Sequence, residues 1–168
     1  AGYHQPGVHE IGGGTVRCSP VDRGHQSKAM RAMVPVISVY VGGVLTILLA
    51  LFHARFYRMF NWAVDFGKIA LLNRRVLYTV HLALLLLFFM VGALSLIYAG
   101  ELGTSTGLAF GFNLLYSLFW IWRLVWQLYY FKGKKGQRVP LVGVLMVVWF
   151  ALLAGAYLLP VLYRLSAG

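Results

Sequence analysis

The run VLYTVHLALLLLFFMVGALSLIYA, from Val76 to Ala99, carries no acidic residue and no basic one except His81. A hydrocarbon core of about 30 Å is crossed by roughly 20 helical residues, and this run is long enough to do it. Strands of a membrane barrel would alternate polar and apolar residues, and this run does not. Three further stretches have the same character: Val34 to Phe52, Gly107 to Phe131 and Val139 to Tyr163. The whole chain agrees. Of its 168 residues 60% are hydrophobic and only 11% charged, with a mean hydropathy of +0.75, outside the range of ordinary soluble domains. The expected fold class is all-α: an integral membrane four-helix bundle with spans at 34–52, 76–99, 107–131 and 139–163.

The segments around the spans complete the layout. Residues 1–33 have no apolar run and read as a flexible polar tail, and residues 164–168 as a short C-terminal one. The tail's histidines, His4, His9 and His25, lack the regular spacing and the acidic or thiol company of a metal site, and Cys18, the single cysteine, has no internal partner. Between spans one and two, residues 53–75 read as an interfacial amphipathic helix. At 100° per residue Phe56, Met59, Phe60, Ala63, Val64, Gly67, Ala70 and Leu71 share one face, with Arg58, Asn61, Asp65 and Lys68 opposite. Such a helix either lies in the headgroup layer or forms a lid over a cavity beneath it.

Charge sets the expected orientation. The net charge of +11 would point to nucleic acid in a soluble protein, but here nine of the fifteen Lys and Arg residues sit in two loops, against five (Arg17, Arg23, Lys28, Arg31 and Arg164) on the side of the termini. The first carries Arg55, Arg58, Lys68, Arg74 and Arg75, the third Lys132, Lys134, Lys135 and Arg138, while the loop between them, Glu101 to Thr106, has none. That asymmetry places both basic loops in the cytoplasm and both termini on the non-cytoplasmic side. The expected partners are membrane lipids, with anionic headgroups at the basic loops, and a second copy or another membrane protein; no nucleic acid is implied.

Small residues predict the packing faces. Ser38, Gly42, Thr46 and Ala50 recur every four residues in span one, Gly92, Ser95 and Ala99 face the same way as His81 in span two, and Gly143, Ala151 and Gly155 mark one side of span four. Pro35 and Pro140 are placed as helix starters.

The candidate site is built around Arg123, the charge inside the aromatic run Phe119 to Phe131. A central Arg costs about 2.5 to 3.5 kcal/mol on insertion, so it needs partners or a route to the surface. It can face the bundle or snorkel to lipid phosphate among Trp and Tyr residues. Tyr116, Gln127 and Tyr130 lie within about 40° of it on a helix. With termini outside, His53 and His81 share its depth, and Asp65 is the acidic residue able to join them. This cluster is read as stabilising the bundle or binding a lipid or partner helix. Haem b or a quinone at His53 and His81 is the alternative, and a small transporter component the second; no cofactor is predicted outright, and no metal ligands other than those two histidines under a haem. Glu101, in the loop on the other face, is a separate polar candidate. No zinc-type spacing, paired intramembrane carboxylates, P-loop or activated nucleophile is present, so the reading leans away from an enzyme.

Phe52-His53 with Phe56-Tyr57 and Trp62, Asn73-Arg74, Leu94-Ser95-Leu96 through Tyr98, Glu101 and Leu102, and Phe119-Trp120 with Arg123, Gln127 and Phe131 together resemble a family of small four-span bacterial inner-membrane proteins with no assigned activity. The resemblance covers Val34 to Tyr163. It implies the four-span architecture and a bacterial inner-membrane location, and no reaction.

Overall fold

A computed structural model describes residues 20–59, 61–130 and 141–167. Cys18, His4 and His9, the basic loop from Lys132 to Arg138, and the starter Pro140 lie outside the described residues, and so does most of the expected tail. Among the described residues the chain is helical throughout, with no strand. Four helices are long and apolar enough to cross a membrane: α1 (Pro20–Ala54), α4 (Leu71–Ile97), α6 (Leu108–Tyr130) and α7 (Leu141–Ala167). Short helices join them, α2 (Phe56–Met59) and α3 (Trp62–Asp65) before α4, and α5 (Ala99–Thr104) before α6. This is the all-α four-helix bundle expected from the apolar runs.

The first helix starts earlier than expected. It begins at Pro20, so residues 20–33 extend α1, and Pro35 sits inside it instead of starting it. A proline removes one ladder donor, which a helix supported by neighbours tolerates. Helix α1 is also the centre of the bundle, packed against α4, α5 and α7, with α6 reached through α7. Two adjacent small-residue rows make this possible. Gly42, Thr46 and Ala50 are buried. A Cβ on Gly42 would come within 2.8 Å of the Tyr157 ring, so this row faces α7. One residue along, Gly43 meets Leu96 and the Gly92 carbonyl of α4. On α7 the expected small side is not the interface. Ala151 and Gly155 are exposed, and the buried positions are Phe150, Leu153, Ala154, Ala156, Tyr157, Pro160 and Val161, because Tyr157 and its neighbours fill the notch left by Gly42.

The end carrying α5 is closed by hydrogen bonds. The Ser38 hydroxyl donates to the Ala156 carbonyl across α1 and α7. Ser95 and Tyr157 hydroxyls share a buried bond of 2.8 Å across α4 and α7. The amide of Asn113 in α6 donates to the Leu102 carbonyl of α5 at 2.7 Å. Helix α5 packs directly on α1, where a Cβ on Gly103 would lie 2.6 Å from a Val36 methyl and 2.8 Å from its Cα. The segment expected as a plain loop is therefore a helical turn, ended by Ser105 at φ 47° and Gly107 at φ 51°.

At the other end residues 53–75 are not one continuous helix. Asn61 takes a left-handed conformation, φ 52°, between α2 and α3, a state Asn tolerates better than most residues. A 3₁₀ turn (Phe66–Lys68) and an extended Ile69 then lead into α4, which already includes Asn73, Arg74 and Arg75. The breaks let Phe56, Trp62 and Phe66 turn toward the bundle, while Met59, Val64 and Leu71 stay exposed. Trp62 meets His81 edge-on at 4.8 Å and Phe66 meets Tyr78 at 5.2 Å. A straight amphipathic helix would have presented its Met59–Val64 face instead.

Candidate functional site

At this second end the large side chains leave space between the helices. Arg123 is half-buried on α6 and turned inward: its guanidinium carbon stands 4.7 Å from the centre of the Phe150 ring on α7, which is itself buried. Trp120 stacks on Phe150 at 5.5 Å and on Phe88 of α4 at 5.6 Å, so an aromatic column fixes the surface on which the cation rests. One turn on, the Arg123 Nη1 donates to Oε1 of Gln127 at 3.1 Å, and Gln127 is only 4% exposed. Among the described residues the ion pair present is Lys68–Asp65, and no carboxylate stands against Arg123. A half-buried guanidinium resting on neutral partners keeps donors and charge for something else.

Those donors face a cavity of about 420 Å³. Arg123 and Gln127 supply its polar side from α6, and His53 from the last turn of α1. Phe52, Phe56, Met59 and Trp62 come from α1 to α3, and Val142, Gly143, Met146 and Phe150 from α7. The chain between α1 and α4 is thus part of the cavity wall, the arrangement of a lid. His53 Nδ1 lies 3.1 Å from the Leu49 carbonyl, and since a carbonyl only accepts, Nδ1 is the donor of this bond and Nε2 is left for other partners.

The candidates read from the sequence divide. His53, Arg123 and Gln127 come together at the cavity. His81 stands behind His53, with ring centres 6.1 Å apart and planes 24° from parallel, and does not line the cavity. Phe56 packs on His53 at 4.3 Å and lies 6.2 Å from His81. Trp62 stands edge-on to His81 at 4.8 Å, so both imidazoles are packed in an aromatic cluster. Asp65 does not join the cluster: it is exposed and pairs with Lys68 at 3.1 Å, its near neighbour across the 3₁₀ turn. Tyr116 points to the other half of the bundle, 4.6 Å from the Tyr157 ring. Tyr130 is exposed and packs on Trp126 at 4.3 Å, because the last turn of α6 runs past the cavity. Glu101 is exposed on α5, at the far end.

Sequence reasoning did not select Phe150, Met146 or Trp62. Their position depends on which face α7 presents and on the break at Asn61. Phe150 and Met146 are spaced i, i+4 with Val142, a periodicity that would mark one face of α7 once Tyr157 is taken as its anchor. No family model matches the chain, and neither does any curated protein or solved structure.

Proposed function

We propose that this is a non-catalytic membrane protein that binds an anionic headgroup in the cavity between α1, α6 and α7, at the cytoplasmic leaflet of a bacterial inner membrane with both termini on the opposite side. The observation that carries this is Arg123: half-buried, without a carboxylate against it among the described residues, and set with Gln127 and His53 at the mouth of an otherwise aromatic and aliphatic cavity. A phosphate or carboxylate oxygen answers both the charge and the planar donor fork of a guanidinium, whereas a neutral quinone offers a carbonyl acceptor without the charge. The orientation follows from Arg55, Arg58, Lys68 and Arg75, all exposed at the cavity end, which favour the cytoplasmic face and draw anionic lipid toward the cavity. A transporter would need a polar path through the α5 end, where Gly42, Gly92 and Gly103 close the helices onto one another.

The test is native mass spectrometry of the protein released from mixed micelles with equal phosphatidylglycerol and phosphatidylcholine. The wild type should retain the anionic lipid about tenfold or more over the zwitterionic one, the range of one charge-assisted hydrogen bond. Arg123→Leu should retain both equally while melting at an unchanged or higher temperature, because it also removes the insertion cost of the charge. Equal retention of the two lipids by the wild type would overturn the reading.

A further inference from the structure

A second cavity, of about 210 Å³, adjoins the first and is wholly apolar. It lies between α1 and α7 and is lined by Leu49, Phe52, Val142, Leu145, Met146 and Trp149. Phe52, Val142 and Met146 line both cavities, so the apolar one lies directly beside the cavity that holds the Arg123 cluster. The positions are those of a groove: Leu49 and Phe52 are one turn apart on α1, and the four α7 residues follow i, i+3, i+4, i+7 spacing along one face. Its origin lies in the helix pair. Toward α5, Gly42 lets α1 and α7 close on Tyr157; toward α2 the α1 side of the contact is Leu49 and Phe52, whose bulk holds α7 away. Protein interiors close-pack where they can, and an apolar void lying beside a polar cluster is the form of an amphiphile site.

We infer that the ligand is a chain-bearing anionic amphiphile whose head rests on Arg123, Gln127 and His53 and whose hydrocarbon chain leaves through the α1–α7 groove past Trp149. The inference rests on the headgroup reading above and adds the chain, its route and its exit. Charge complementarity selects the head, and the wholly apolar cavity across Phe52, Val142 and Met146 is the neighbouring space that suits the tail. Val142 to Trp149 spans about 10 Å of helix, a third of the roughly 30 Å hydrocarbon core, so the first part of the chain is held by protein and the rest emerges sideways into the bilayer. One row of side chains on each helix makes room for one chain. A free inorganic phosphate would use the head cluster alone.

The experiment uses the full chain in nanodiscs of unbrominated lipid, titrated with lysophosphatidylglycerol brominated either beside the headgroup or in mid-chain, with tryptophan fluorescence as readout. Trp62 lines the head cavity and Trp149 the groove, so head-proximal bromine should quench the Trp62 contribution and mid-chain bromine the Trp149 contribution. In Trp149→Phe the saturable mid-chain quenching should fall by more than half, with head-proximal quenching retained. In Arg123→Leu both saturable components should disappear. Mid-chain quenching unchanged by Trp149→Phe, with the Arg123-dependent anionic preference intact, would overturn the route of the chain and leave the headgroup reading standing. Glycerol phosphate displacing the lysolipid mole for mole would overturn the chain altogether. Quenching indifferent to Arg123→Leu would instead remove the headgroup reading beneath it.

Discussion

The two ends of this bundle are made from the same four helices and solve opposite problems. At the α5 end, Gly42, Gly43, Gly92 and Gly103 bring backbones together, and Ser38, Ser95, Asn113 and Tyr157 stitch them with buried hydrogen bonds. At the α2–α3 end the interfaces are built from Phe52, Phe56, Trp62, Met146 and Phe150, which cannot pack that closely, and the half-buried charge of Arg123 sits in the space they leave. Between helices in lipid there is little hydrophobic drive, so small residues and hydrogen bonds are the available glue, and where they give out there is room. At one end the helices close on glycine, and at the other they enclose a cavity. The lesson is that what separates the two ends is the lining of the space: large aromatic side chains and Arg123 at one, close glycine contacts at the other.

The sharpest way to break this contrast is at Gly103. Added bulk there meets Val36 backbone atoms at 2.8 and 2.9 Å, which cannot swing aside, so Gly103→Ala should force α5 off α1 and cost about 1 to 3 kcal/mol in denaturant titration of the detergent-solubilised protein. Gly155→Ala is the control. No atom of another helix lies within 4 Å of the place its added methyl would take, so it should be neutral or gain about 0.5 to 1 kcal/mol from helix propensity. If the two substitutions cost the same, the small residues of the α5 end are not what holds it.

Gly155 also marks what the sequence could and could not tell. The four spans were legible because apolar length is a local property, and the Ser38–Ala50 row because a four-residue repeat in one helix is visible without its partner. The Gly143–Ala151–Gly155 side misled for the complementary reason: Ala151 and Gly155 face outward and Gly143 lines the cavity, since Tyr157 on the opposite flank fits the Gly42 notch. His53, Arg123 and Gln127 could be gathered from depth and helical angle alone. Their aromatic wall could not, because it depends on the left-handed Asn61, which turns Trp62 inward and abolishes the single amphipathic helix that 100° periodicity predicts.

A smaller effect is expected from the hydrogen bonds of the closed end. Tyr157→Phe keeps the ring against Gly42 and Tyr116 but deletes the 2.8 Å bond to Ser95. Interhelical hydrogen bonds in membranes average about 0.6 kcal/mol and reach about 1.7, and the double-mutant cycle with Ser95→Ala should return a coupling in that range. The same substitution should leave the preference for anionic lipid unchanged, because it acts at the end that holds the fold. A loss of lipid preference with stability intact would mean that the two ends are coupled and that the division drawn between them is wrong.

The smallest effect tests the boundary of the cavity end. Asp65 is the acidic residue expected to join Arg123, but its side chain is 64% exposed and pairs at 3.1 Å with Lys68, whose side chain is 72% exposed. An exposed pair at this spacing is worth about 0.5 kcal/mol or less and fades with salt. Asp65→Asn should therefore shift stability within that limit, with the difference vanishing in high salt. Its effect on anionic-lipid retention decides more. Were Asp65 a counter-ion to Arg123, removing its charge would free the guanidinium and strengthen retention markedly; as a surface partner of Lys68 it should leave retention nearly unchanged. A strong gain would show that α3 swings in to occupy the head cavity when no lipid is bound, making Asp65 a competitor for Arg123.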